Sequence, residues 1–104
     1  MSSVTEAWKA WQEGLANKDS SKLGEFFTDD FQFVSASVTR NKQETLDWTA
    51  AGGNPTVLDN LEVLYENDEV AVIYHSANRP NVVMALYTKR GDKFSHCRTV
   101  RQEN

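Results

Sequence analysis

Side chains able to do chemistry are few in this chain: two histidines, one cysteine and three tyrosines. All six fall between residues 65 and 97. A histidine pair can hold a metal or move protons, but His75 and His96 have neither His-x-x-x-His spacing nor an acidic residue at ligand spacing. Their runs are separated by a third apolar run. In a sheet that leaves their backbones about 9–10 Å apart, too far for a shared ion unless both side chains lean together. No metal or other cofactor is expected. Either histidine alone has the right pKa range for a general base near neutral pH. His96 and Cys97 are adjacent, and neighbours in a strand point to opposite faces, so a nucleophile–base dyad from them is not expected. Cys97 reads as a small buried hydrophobe.

The elements that must position these residues lie between Val57 and Val100. This stretch reads as four antiparallel strands: Val57–Glu66, Glu69–Asn78, Val82–Lys89 and Lys93–Arg101. Asn67-Asp68 tolerates the positive φ of a two-residue hairpin, Arg79-Pro80-Asn81 pre-sets a turn, and Gly91-Asp92 is a glycine-first hairpin pair. Arg90-Gly91-Asp92 also spells an integrin-type tripeptide, but the turn already explains its glycine. A sheet of this size needs one face covered, so the residues before Val57 must be the cover.

That cover opens with Ser3 and Glu6 at capping-box spacing, followed by Val4, Trp8, Trp11 and Leu15 on one stripe of a helix from Val4 to Asn17. Asp19-Ser20-Ser21 supplies caps for a second helix with Leu23, Phe26 and Phe27 on its apolar side. Phe31–Ser37 alternates as a short strand, with Phe31, Phe33 and Ser35 on one side. Asn41 and Glu44 cap a third helix over Lys42–Ala51 that carries Leu46 and Trp48, and Gly52-Gly53-Asn54-Pro55 stops it. The order α-α-β-α-β-β-β-β predicts one α+β domain over residues 1–104, with helices packed on one face of a strongly curved mixed or antiparallel sheet.

Composition narrows the classes. Hydrophobic residues make up 39% and charged residues 25%, ordinary values for a water-soluble globular domain. Net charge is −4 with acids and bases interspersed, so no nucleic-acid footprint is expected. No apolar run approaches the roughly 18–20 residues of a membrane span, and the N-terminal residues lack the charged and apolar regions of a signal peptide. With a single cysteine and no leader, the expected location is the cytoplasm.

Leu15-Ala16-Asn17-Lys18-Asp19, Leu23, Phe26-Phe27-Thr28-Asp29-Asp30-Phe31-Gln32-Phe33, Lys42-Gln43-Glu44, Val70-Ala71-Val72, Lys93 and Arg98 give the chain a pattern. It resembles the nuclear transport factor 2-like superfamily, the cone-shaped α+β fold of SnoaL-like proteins and ketosteroid isomerases. The resemblance implies a sheet curled around a pocket closed by helices, and a dimer through the opposite sheet face. Activities in the superfamily range from isomerases, dehydratases and hydrolases to non-catalytic binding or association modules, so fold alone assigns none. Carried across, the isomerase tyrosine donor falls at Trp11, the carboxylate base at Ser35 and the protonated acid at Ala85. None of these can perform the required acid–base step, so steroid isomerisation is not expected.

The resemblance further implies that the tyrosines point into the cone. The expected pocket is then lined by Trp11, Phe33, Ser35, Trp48, Tyr74, Ala85, Tyr87 and His96. For the last strand two faces remain open. Phe94 and Val100 argue for even-numbered residues inward, which admits His96 and Arg98 and favours an anionic ligand. The isomerase alignment instead puts Cys97 and Thr99 inward, and a bulge would reconcile the two. Three functions follow. The first is binding of a small apolar or aromatic molecule, the second a SnoaL-like enzyme using His96 or the tyrosines, and the third an association module with a filled interior. The dimer face is expected to carry Ala71, Ile73, Val82, Met84 and Leu86, with His75 in or near it.

Overall fold

The computed structural model describes residues 3–103. Helix α1 (Val4–Asn17) starts at the capping box that the sequence predicts. The Ser3 hydroxyl accepts from the Glu6 N–H, and the Glu6 carboxylate accepts from the Ser3 N–H. Val4, Ala7, Trp8, Trp11 and Leu15 form its buried stripe. Its N-terminus is tied to the sheet as well: Glu66 accepts from the Val4 N–H at 2.7 Å and from the Lys89 ammonium at 2.8 Å. The Lys89 side chain is only 5% exposed, so removing Glu66 would strand a buried charge.

Helix α2 (Ser21–Gly24) is a single turn and does not carry Phe26 and Phe27 as expected. Phe27 instead opens strand β1 (Phe27–Val34), where it stacks on Phe31 and pairs beside Phe94. Sheet pairing and aromatic packing outweigh the local helical spacing here. After a turn at residues 35–38 comes a short strand absent from the sequence reading, β2 (Thr39–Asn41), paired antiparallel to β1. Asn41 and Glu44 then close a second capping box for α3 (Lys42–Ala50). Thr45 and Thr49 are its buried residues, their hydroxyls donating to the carbonyls of Asn41 and Thr45. Leu46 and Trp48 pack partly buried against the core. Gly53 has φ +70, and a Cβ there would stand 2.7 Å from Leu15 Cδ2, so only glycine allows the turn to close under α1.

Strands β3 (Leu58–Glu66), β4 (Val70–Ala77), β5 (Val82–Arg90) and β6 (Lys93–Gln102) form the meander. The curved six-stranded sheet has the order β2-β1-β6-β5-β4-β3, and it is mixed because β1 runs parallel to β6. Gly91 has φ +62, as a glycine-first hairpin requires. The Asn67 turn is built differently from the expectation. Neither Asn67 nor Asp68 has positive φ, and the Asn67 side chain accepts from the N–H groups of Glu69 and Val70.

Register decides which residues face the helices. Across β4 and β5, Ala71 stands opposite Tyr87, Ile73 opposite Ala85 and His75 opposite Val83. Residues directly opposite share a face, so these six belong together on the inner side. Ala71 and Ile73 are therefore core residues and not part of an outer patch. Tyr74, opposite Met84, faces outward. On β6 the pairing shifts between Thr88 and Lys89, so that Ser95 is an extra residue. This bulge turns both Phe94 and Cys97 inward and leaves Val100 70% exposed. No helix among the described residues is long and apolar enough to cross a membrane.

Candidate functional site

Between α1, Trp48 of α3 and the inner sheet face lies a cavity of about 460 Å³. Helix α1 contributes Trp8 and Trp11, one turn apart on its buried stripe, and β1 contributes Phe33 with Ser35 just beyond its end. The sheet contributes His75, Tyr87 and Cys97 from β4, β5 and β6. Ring edges lock the aromatic wall. Trp11 meets Phe27 and Phe33 edge-on at 5.5 and 5.9 Å, and Trp8 meets the His75 imidazole at 5.6 Å. The indole N–H groups of Trp8 and Trp11 are buried without an acceptor among the described residues.

Of the eight residues expected to line a pocket, Trp11, Phe33, Ser35, Trp48 and Tyr87 surround this cavity. Ala85 faces the same way but is sealed in the packed floor beneath it, opposite Ile73 and Thr99. Tyr74 lies on the outer face for the reason of register given above. The Ser95 bulge sends Cys97 and Thr99 inward, so His96 is not part of the wall. Several wall residues are not legible in the sequence, among them His75, which the sequence reading puts on the outer face, and Arg40 and Arg101, which it does not single out.

His75 is 6% exposed and its Nδ1 lies 3.0 Å from the Ser76 carbonyl oxygen. A carbonyl only accepts, so in the neutral ring Nδ1 carries the proton and Nε2 keeps its lone pair. Burial lowers the His75 pKa below its ordinary 6.5, with the Ser76 carbonyl partly opposing. The imidazole is thus neutral at pH 7. Burial has the reverse effect on the acids beside it. The Tyr87 phenol is pushed well above its usual range, and the Cys97 thiol is pushed up to about 12, with a hydrogen bond to Tyr87 only partly opposing. Neither can ionise near neutrality, and the thiol is no nucleophile there.

Charge is confined to the mouth. Arg40 on β2 lays its guanidinium over the rings of Trp48 and Phe33, at 5.2 and 5.9 Å from their centroids. Arg101 donates to the Ala77 carbonyl at 3.3 Å. Neither arginine pairs with a carboxylate among the described residues, whereas Arg79 pairs with Asp59 and Arg90 with Asp30. Among the described residues, Glu103 at the rim is the one carboxylate that borders the cavity. Among the described residues no cluster of metal-ligating side chains occurs.

No family model and no curated protein matches the chain. Solved structures do. An NTF2-like protein from Anabaena variabilis is 16% identical, with a TM-score of 0.77 over 97% of this chain and 87% of its own. A cystatin-fold protein from Novosphingobium aromaticivorans is 18% identical, with a TM-score of 0.75 over 97% of this chain and 100% of its own. A hypothetical protein of ketosteroid isomerase-like fold from Catenulispora acidiphila, solved in complex with trimethylamine, is 15% identical, with a TM-score of 0.65 over 90% and 83%. At such identities the likeness is one of architecture: this chain adopts the nuclear transport factor 2-like, cystatin-type fold.

Proposed function

We propose that the chain is a small-molecule-binding domain whose apolar or aromatic ligand occupies the cavity beneath α1. The observation that carries this reading is the cavity itself. Its volume of about 460 Å³ lies within the ordinary range for small-molecule sites, and aromatic rings wall it with a few polar groups between them. A domain serving only association would fill that space with side chains. The trimethylamine held by the Catenulispora protein is a precedent for a small organic ligand on this fold. Val83→Phe tests the reading, because Val83 borders the cavity from β5. In a thermal-shift and NMR screen of aromatic acids, phenols and amines, the wild type should show ligand-induced shifts that this variant abolishes. No shift with any compound, or shifts the variant leaves unchanged, would refute a ligand in the cavity.

A second reading, catalysis, is favoured by one observation: a neutral, buried histidine with its Nδ1 anchored and its Nε2 unspent. In that reading His75 is the general base, in place of His96 or the tyrosines. Among the described residues no carboxylate lies inside the cavity to take that role, Glu103 being exposed at the rim. Loss of turnover in His75→Gln with ligand binding retained would separate catalysis from binding alone.

We also place a twofold dimer in this proposal, through the outer face of β4, β5 and β6. Tyr74, Met84, Leu86 and Val100 are exposed there as neighbours in register. A contiguous apolar patch of this kind is seldom left in water, and a second copy of the same patch is its commonest cover.

A further inference from the structure

We infer that the cavity selects a ligand with an apolar body and a terminal carboxylate, and that Arg40 reads the carboxylate. The inference rests on the binding reading above and adds to it the charge and orientation of the ligand. Arg40 is half-buried at the mouth, and the aromatic faces of Trp48 and Phe33 hold its guanidinium. Both contacts place the group over an aromatic ring rather than beside an acceptor oxygen. The guanidinium edge carries five N–H donors, and none is engaged in a hydrogen bond or ion pair among the described residues. A guanidinium held over aromatic rings with its donors unspent can meet a carboxylate in the two-point geometry that gives the strongest charge-assisted hydrogen bonds.

The rest of the wall points the same way. Arg101 adds a second cation at the rim, while the Glu103 carboxylate forms no ion pair with either arginine. Among the described residues, two cations against one anion leave the mouth positive. Deeper in, His75 is neutral, and Tyr87 and Cys97 remain protonated. A cationic ligand of the trimethylamine kind would have aromatic faces available but no buried counter-charge, and it would meet Arg40 on the way in. A neutral aromatic would leave the donor edge of Arg40 unused. An amphiphilic acid satisfies both ends. Its ring system lies against Trp8, Trp11 and Phe33, and its carboxylate stays at the mouth beside Arg40.

The test compares three probes that share one hydrophobe: naphthylacetate, its uncharged amide, and the corresponding naphthylmethyl-trimethylammonium. Binding is measured by calorimetry and by the indole N–H resonances of the three tryptophans. The wild type should bind the carboxylate about tenfold or more tightly than the amide, the ratio expected for one charge-assisted contact. Arg40→Gln should erase that preference by weakening the carboxylate far more than the amide. Arg40→Lys should recover only part of it, since lysine keeps the charge and loses the planar fork. Equal binding of acid and amide, or preference for the ammonium, would overturn the inference and leave the binding domain standing. A carboxylate preference that survives Arg40→Gln would overturn the role of Arg40. Silence from all three probes would overturn the inference, while the cavity reading is decided by the wider screen and Val83→Phe. The wild-type comparison needs no variant to fold.

Discussion

His75 holds an imidazole in a setting that disfavours its charged form. Its ring packs edge-on against Trp8, its Nδ1 is committed to a backbone carbonyl, and among the described residues no carboxylate pairs with it. The folded pKa therefore lies below 6.5, the value that the unfolded chain keeps. Above 6.5 both states carry a neutral imidazole, and the group has no pH-dependent effect. As pH falls below 6.5 the unfolded chain takes up a proton that the folded chain refuses, so stability declines until the folded pKa is reached. Denaturant titrations should show that slope in the wild type as pH falls below 6.5, and His75→Gln should flatten it. The carboxylates with lowered pKa values, Glu6, Asp19 and Asp30, act at lower pH and leave this window clear. An unchanged slope in the variant would mean that the ring is more hydrated than its burial implies. The residue scale was also the least legible from sequence. Nothing in the single letters at 40 and 101 separates a cavity arginine from a surface one, because their roles come from strands that meet only in the fold.

Elements were legible where a local rule fixes them. The capping boxes at Ser3–Glu6 and Asn41–Glu44, the glycine stop after α3 and the Gly91 hairpin all rest on contacts within a few residues. Faces failed where long-range register decides. The β4–β5 connection pairs odd-numbered residues with odd-numbered ones, so an inward Tyr87 requires an inward Ala71 and carries His75 with it. An inward Tyr87 and Ala85 therefore exclude an inward Tyr74, which sits opposite Met84, and the resemblance that turns both tyrosines inward conflicts with this parity. On β6 the opposing signals of Phe94 and Cys97 were both sound, and the bulge at Ser95 satisfies them together. Trp11 is the anchor between element and sheet, 5% exposed and edge-on to two phenylalanines. Trp11→Ala should lose about 3–5 kcal/mol by denaturant titration. Trp11→Phe keeps an aromatic ring there and removes an indole N–H that has no acceptor, so its loss should be much smaller. Equal losses in the two variants would show that a phenyl ring cannot stand in for the indole, and that the full tryptophan holds α1 on the sheet.

At the scale of the whole molecule the sheet has two apolar faces and only one set of helices. The inner face is covered by α1 and α3 and encloses the cavity. The outer face presents Tyr74 at 37% exposure, Leu86 at 41%, Met84 at 47% and Val100 at 70%, with Met84 opposite both Tyr74 and Val100 in register. Resemblance pointed to this face in the sequence, but two of the five residues expected on it, Ala71 and Ile73, are fully buried on the other. Met84 is the centre of the patch, and a twofold axis nearby would bring two copies of it close together. Met84→Glu should therefore move the protein from dimer to monomer in sedimentation equilibrium at micromolar concentration, because two carboxylates would meet in a desolvated interface. The cavity lies across the sheet from this substitution, so the monomeric variant should keep its affinity for a cavity ligand. A wild type that sediments as a monomer throughout that range would refute the dimer. A dimer undisturbed by Met84→Glu would place the contact elsewhere, with the exposed Val63-Leu64-Tyr65 run on edge strand β3 as the next surface to substitute.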